Sequence, residues 1–94
     1  MQFVVISYDI PDDKRRIKVA KLLLDYGAQR VQRSVFELFV TPQHLEQLRA
    51  RLAKLYKAEE DSIRFYNLCA ACRPKVVYLG LAQPVDEPGL LIIG

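Results

Sequence analysis

The chain contains no tryptophan, one histidine (His44), four glycines and two cysteines in 94 residues. A tetrahedral zinc shell takes about four ligands, so His44, Cys69 and Cys72 together fall short of one. The phosphate-cradling G-x-x-x-x-G-K, the dinucleotide-binding G-x-G-x-x-G and the zincin H-E-x-x-H patterns are all missing, and a single histidine leaves little for a His-based triad. Most familiar enzyme classes are thereby excluded. Long hydrophobic runs are also absent: the longest, residues 68–72 and 76–82, are far short of the roughly 18 residues that suggest a membrane span. The N-terminus has no basic segment ahead of its apolar run, and Asp9 comes too early for a signal peptide. A cytoplasmic protein with no membrane partner is the expectation.

What is present suffices for one core. At 51% hydrophobic and 27% charged, the chain exceeds what disorder permits, and its length leaves room for a single domain spanning 1–94. The two cysteines, spaced C-x-x-C, lie in a Leu-Cys-Ala-Ala-Cys-Arg-Pro connection rather than between a strand and a helix. They read as small buried apolar residues. His44 falls in the first turn of a helix and reads as a surface residue.

Residues 3–8 form an apolar run rich in Val and Ile, which predicts a central strand buried on both faces. Residues 14–26 switch to helical period, with Ile17, Ala20, Leu23 and Leu24 forming one apolar side. Asp12 and Asp13 suit the N-terminal dipole of that helix, and Gly27 suits its C-terminal end. Val19, Leu22 and Tyr26 widen the apolar arc. Residues 28–40 read as one long strand bent near Arg33 or as two short strands in a hairpin. Thr41 and Pro42 open a second helix with the stripe Leu45, Leu48, Leu52 and Leu55. An acidic loop at Glu59–Asp61 leads to strands at 62–68 and 75–81.

The order β-α-β-(β)-α-β-β is the split βαβ, ferredoxin-like α+β pattern, an antiparallel sheet with two helices on one face. The other sheet face carries Phe3 and Val5 and calls for a cover, most economically a second copy of the chain. The apolar segment Leu90–Ile93, within residues 88–94, predicts a C-terminal strand that adds to a sheet edge of the dimer.

Charge is uneven. Residues 14–33 hold Lys14, Arg15, Arg16, Lys18, Lys21, Arg30 and Arg33 against Asp25 alone, a net of +6, while the remainder carries −3. A basic block on a slightly acidic domain is the footprint of a phosphate-binding surface, and equally of a solvated helix face. Asp9, at the carboxyl end of the first strand, is either a turn residue bonding its own backbone or a ligand for a hard cation beside phosphate.

Tyr8-Asp9-Ile10-Pro11-Asp12-Asp13-Lys14-Arg15-Arg16, followed by Arg30-Val31-Gln32-Arg33-Ser34-Val35-Phe36-Glu37, resembles the small CRISPR-associated protein 2 family. The resemblance implies a cytoplasmic ferredoxin-like homodimer acting in the adaptation stage of CRISPR immunity, with a CRISPR-associated integrase as partner. It further implies metal-dependent endonuclease activity on RNA, with DNA as a further substrate. Asp9 matches the family's catalytic, metal-linked aspartate, served by Mg²⁺ or Mn²⁺. Tyr8, Arg16, Arg30, Ser34 and Phe36 fall on motif positions near it, and Lys18 on a second basic position of the first helix; Arg33 occupies a variable one. With Lys14 and Arg15 these form the expected nucleic-acid contacts. A different reading needs only the basic block: a non-catalytic dimeric scaffold that bridges integrase subunits and lies along duplex DNA. In either case backbone recognition with steep salt dependence is expected.

Overall fold

The computed structural model describes residues 1–77 and 79. In chain order it has β1 (Gln2–Asp9), α1 (Asp13–Asp25), β2 (Gln29–Gln32), β3 (Val35–Val40), α2 (Pro42–Leu52) and β4 (Ser62–Leu68), then a short 3-10 turn at Arg73–Lys75. The strands form one antiparallel sheet in the order β2-β3-β1-β4. β1 is central, as its unbroken apolar run requires. Of the two readings of residues 28–40 the hairpin is correct: β2 and β3 turn at Arg33-Ser34, with an irregularity in register between Arg30 and Gln32.

Strand alternation divides the sheet. Val4, Ile6 and Tyr8 of β1 join Phe36, Leu38 and Val40 of β3 in one core with Val19, Ala20 and Leu23 of α1 and Leu48 and Leu52 of α2. Both helices therefore lie on one face. The opposite face presents Phe3, Val5, Ser7 and Asp9, flanked across the ladders by Val35, Glu37 and Phe39 on one side and Ser62, Arg64, Tyr66 and Leu68 on the other.

The helix ends follow local chemistry. Asp12 accepts the Arg15 N–H at 2.9 Å, and Thr41 accepts the His44 N–H at 3.2 Å, ahead of Pro42 at the first helical position. After α1, Gly27 turns to φ +88°, Ala28 N–H reaches Leu23 O at 3.0 Å and Gly27 N–H reaches Leu24 O at 3.0 Å. This is the Schellman arrangement, in which a left-handed residue lets the last carbonyls find donors. Open space surrounds the position where a Cβ would stand, so the cost of Gly27→Ala is conformational alone. Urea unfolding is expected to show a loss of about 1 kcal/mol for that variant.

Four sequence expectations need correction or fall outside the described residues. The core arc of α1 is rotated: Val19, Ala20 and Leu23 are buried with Leu22 and Tyr26 packed beside them, whereas Ile17 is 66% and Leu24 52% exposed. Seven apolar residues in ten positions leave the helical period unable to choose between adjacent arcs, and the contact with the sheet decides. Cys69 and Cys72 are exposed rather than buried, standing in the turn that follows β4, where Cys72 N–H bonds Cys69 O at 3.0 Å. No strand begins at Lys75, which closes the 3-10 turn after Pro74, and Val76, Val77 and Leu79 belong to no strand; residues 78, 80 and 81 of that expected strand and the C-terminal strand at 88–94 lie outside the described residues. His44 is exposed as expected.

Candidate nucleic-acid interface and acidic strand end

Two charged groups meet at the carboxyl end of β1, one on each face of the sheet. On the open face Asp9 is exposed and pairs across the ladder with Ser62, while Ser7 pairs with Arg64. A cavity of about 240 Å³ is lined by Ser7, Tyr8, Asp9, Ser62, Arg64 and Tyr66. Arg64 Nη1 donates to Tyr66 Oη at 3.3 Å, which fixes the guanidinium on the same face as the Asp9 carboxylate. Ser62, Arg64 and Tyr66 were not among the expected site residues. The period-2 sequence Ser62-x-Arg64-x-Tyr66 puts them on one face, but only the β1–β4 register places that face beside Asp9.

On the helix face a second cavity, of about 390 Å³, is lined by Tyr8, Arg16, Ile17, Ala20, Lys21, Leu24, Arg30 and Arg33. Three arginines and a lysine thus surround the apolar residues that α1 leaves exposed. Arg16 Nη1 donates to Ile10 O at 3.0 Å and its other arm pairs with Asp13, tying the base of α1 to the loop that follows Asp9. The Arg30 guanidinium lies 5.1 Å from the centroid of Phe36, and the Phe36 ring stacks 6.1 Å from that of Tyr8. Phe36 is fully buried and Tyr8 is 4% exposed. Their rings therefore support the arginines by packing, since base stacking needs an accessible ring face. Tyr8 Oη is buried without a hydrogen-bond partner among the described residues, in a residue that lines both cavities.

The remaining expected contacts are spread out. Ser34 lies in the β2–β3 turn, its carbonyl accepting Tyr8 N–H at 3.1 Å. Lys14 and Lys18 are exposed on α1. Arg15 is engaged elsewhere: Nε reaches Asp61 Oδ2 at 2.9 Å, and Nη2 reaches Asp61 Oδ1 at 3.2 Å and Glu60 Oε1 at 3.0 Å. This fork pins the acidic loop to the start of α1. The Asp61 side chain is wholly covered and also accepts Lys57 N–H at 2.9 Å. The Arg15 fork and that N–H hold the Asp61 carboxyl below the usual carboxylate range. A depressed folded value contributes stability above the ordinary value, and that contribution is lost as pH falls through the folded one. Asp61→Asn is therefore expected to melt lower than the parent at pH 7, with the gap closing as acid takes the pH below the ordinary carboxylate range; a gap that persists in strong acid would contradict the ion-pair origin.

The groups in this cavity able to ligate a cation are all oxygens, the Asp9 carboxylate with the hydroxyls of Ser7, Ser62 and Tyr66, beside the Arg64 guanidinium. Among the described residues no three His, Cys, Asp or Glu side chains gather into a metal-holding group. This set does not suit zinc, but it fits a hard cation such as Mg²⁺, which binds through one or two carboxylates and completes its shell with water and phosphate oxygens.

The fold and the two clusters define a small α+β domain whose central strand ends in an accessible carboxylate, with arginines on both sides of the sheet. The chain belongs to the family described as CRISPR associated protein Cas2, whose profile matches residues 1–76. It is 46% identical over 93 residues, 99% of this chain and all of the relative, to a Synechocystis sp. protein named CRISPR-associated endoribonuclease Cas2 3. Among solved structures it resembles a hypothetical protein from Thermus thermophilus with a TM-score of 0.78 and 40% identity, covering 92% of this chain and 98% of that one. It also resembles a chain of a partial Cas6-RT-Cas1–Cas2 complex with a TM-score of 0.73 and 36% identity, covering 93% of this chain and 99% of that one. No helix among the described residues is long and apolar enough to cross a membrane.

Proposed function

We propose that this protein is a metal-dependent endonuclease of CRISPR adaptation, acting on RNA and also on DNA, and working as a symmetric homodimer in the cytoplasm alongside the CRISPR integrase. The observation that carries the reading is the exposed Asp9 carboxylate, set among hydroxyls and Arg64 at the end of the central strand. The order β2-β3-β1-β4 with both helices on one face supports the ferredoxin-like class.

The open sheet face is where the two subunits meet in this reading. Val5, half-buried between Glu37 and Tyr66, lies at its centre, while Phe3 and Phe39 are already buried in the single chain with the Arg73 guanidinium over their rings. Glu37, opposite Val5, has a buried Oε1 without a hydrogen-bond partner among the described residues, and burial pushes its carboxyl above the ordinary value. A second subunit can supply the donor that this oxygen lacks. Face-to-face pairing brings Asp9 from each subunit to one site, which doubles the carboxylate supply for Mg²⁺ or Mn²⁺. A bound divalent cation supplies Lewis-acid polarisation of the phosphodiester and an activated water. Arg64 draws the scissile phosphate toward Asp9 and offsets its charge. Arg16, Arg30 and Arg33, with Lys14 and Lys18 on the flanking helix, hold the polyanion along the outer surface.

The separation of the two charged groups also favours a second role. The helix-face arginines lie across the sheet from Asp9, so a duplex can lie against them without reaching the carboxylate. A dimer that bridges integrase subunits along duplex DNA would use this surface alone, and the Cas1–Cas2 assembly named for one structural neighbour supports such a use. Cleavage assays with Mg²⁺ on the protein and on Asp9→Asn separate the roles: catalysis requires the carboxylate, and duplex binding does not.

A further inference from the structure

Cys69 and Cys72 take no part in the proposed cleavage or duplex binding, yet they form the most reactive arrangement outside those surfaces. Cys69 Sγ and Cys72 Sγ stand 3.3 Å apart, and both residues are exposed and free. The backbone between them is already a closed turn, with Cys69 O accepting Cys72 N–H at 3.0 Å and Arg73 N–H at 3.1 Å. A disulfide bond is about 2 Å long, so a small rotation of two side chains closes the pair. A resident metal is a poor alternative, because among the described residues no third His, Cys, Asp or Glu gathers with them.

We propose that Cys69 and Cys72 are a redox-active dithiol that closes reversibly to an intrachain disulfide, with small-molecule disulfides as its oxidising substrates. The Cys69 thiolate attacks one sulfur of the reagent disulfide, forming a mixed disulfide and expelling one thiolate. Cys72 then loses its proton to solvent or to that thiolate, attacks Cys69 Sγ and expels the second. The two protein thiols give up two electrons and two protons, and the reagent disulfide leaves as two thiols.

The geometry assigns the order of attack. The Sγ–Sγ contact with Cys72, with the backbone amides of Cys72 and Ala71 close by, holds the Cys69 thiol below the ordinary value, while the same contact pushes Cys72 up. At neutral pH Cys69 therefore carries more thiolate and is the attacking group. Closure would lock the turn that joins β4 to Arg73, whose guanidinium lies 4.5 Å from the Phe39 ring and 5.8 Å from that of Phe3 on the open sheet face.

The test incubates the reduced full-length protein with glutathione disulfide at pH 7, traps remaining thiols with N-ethylmaleimide and reads intact mass. The parent is expected to lose the mass of two hydrogens, to refuse the maleimide and to recover both thiols after dithiothreitol. Cys69→Ser and Cys72→Ser should each stop at one stable glutathione adduct, with Cys72→Ser, which keeps a hydroxyl donor to Cys69, reacting at least about threefold faster. Far-UV circular dichroism of each sample establishes that the fold persists. Three results would overturn the proposal: thiols of the parent that remain alkylatable, glutathione adducts of the parent that never resolve, or disulfides linking separate chains. The reverse order of rates would overturn the assignment of Cys69 as attacker.

Discussion

Asp9→Asn is expected to lower Mg²⁺-dependent cleavage of RNA by at least about 100-fold, equivalent to about 2.7 kcal/mol of transition-state stabilisation, while leaving folding and self-association unchanged. The size follows from ligand supply. Among the described residues each chain offers a single carboxylate in this cavity, beside the neutral hydroxyls of Ser7, Ser62 and Tyr66. Asparagine keeps the shape and one carbonyl oxygen but removes the negative charge that holds a hard cation. Asp9 is exposed at the end of β1, so the fold gives up no buried contact. Gel-resolved cleavage of a labelled RNA, with circular dichroism on the same samples, checks both halves. Cleavage that survives the substitution would place the reaction elsewhere in the chain.

Val5→Lys is expected to weaken self-association by at least about 100-fold and to abolish cleavage in parallel. Val5 sits at the centre of the open face, between Glu37 on β3 and Tyr66 on β4. In a single chain the new ammonium lies beside the Glu37 carboxylate, an opposite-charge cross-strand neighbour that keeps the fold tolerable. In the dimer the same group must leave water against an apolar surface, at a cost of a few kcal/mol. Sedimentation velocity across a concentration series measures the first effect, and the RNA assay measures the second. Loss of cleavage with an intact dimer, or an intact pair of activities, would move the subunit contact to another surface.

These two variants also separate the two roles. Asp9→Asn should leave duplex binding to Arg16, Arg30 and Arg33 untouched, because those residues line the cavity on the helix face. A scaffold that needs no chemistry would tolerate it. Val5→Lys removes dimer bridging and catalysis together.

The parts of the fold legible in the sequence are those set by local chemistry. Asp12, Gly27 and Thr41 mark helix ends through bonds to residues three positions away, and Pro42 marks one by its fixed φ at the first helical position. The apolar run of β1 identified the central strand because Phe3 and Val5 on one face and Val4 and Ile6 on the other leave no polar alternation, although the face carrying Val5 and Ser7 is only half-buried. What was not legible depends on distant pairing. α1 has apolar residues around most of its circumference, so only contact with the sheet decides that Val19 turns inward while Ile17 and Leu24 stay out. Asp9 was legible as a candidate from its place at a strand end. Its neighbours Ser62 and Arg64 come from a strand more than fifty residues away, and no local spacing records that register. Arg15 counted among the basic residues of a binding surface, yet its fork is held by Asp61 and Glu60. Cys69 and Cys72 illustrate the converse: their average tendency is burial, and the turn after β4 leaves them in water.

A calorimetric titration of the full-length protein with Mn²⁺ bears most directly on the paired-carboxylate centre. The expected stoichiometry is one ion for every two chains, with the binding heat lost in Asp9→Asn and in Val5→Lys. One ion per chain, or binding that persists after Asp9 is replaced, would contradict a metal site shared across the dimer axis.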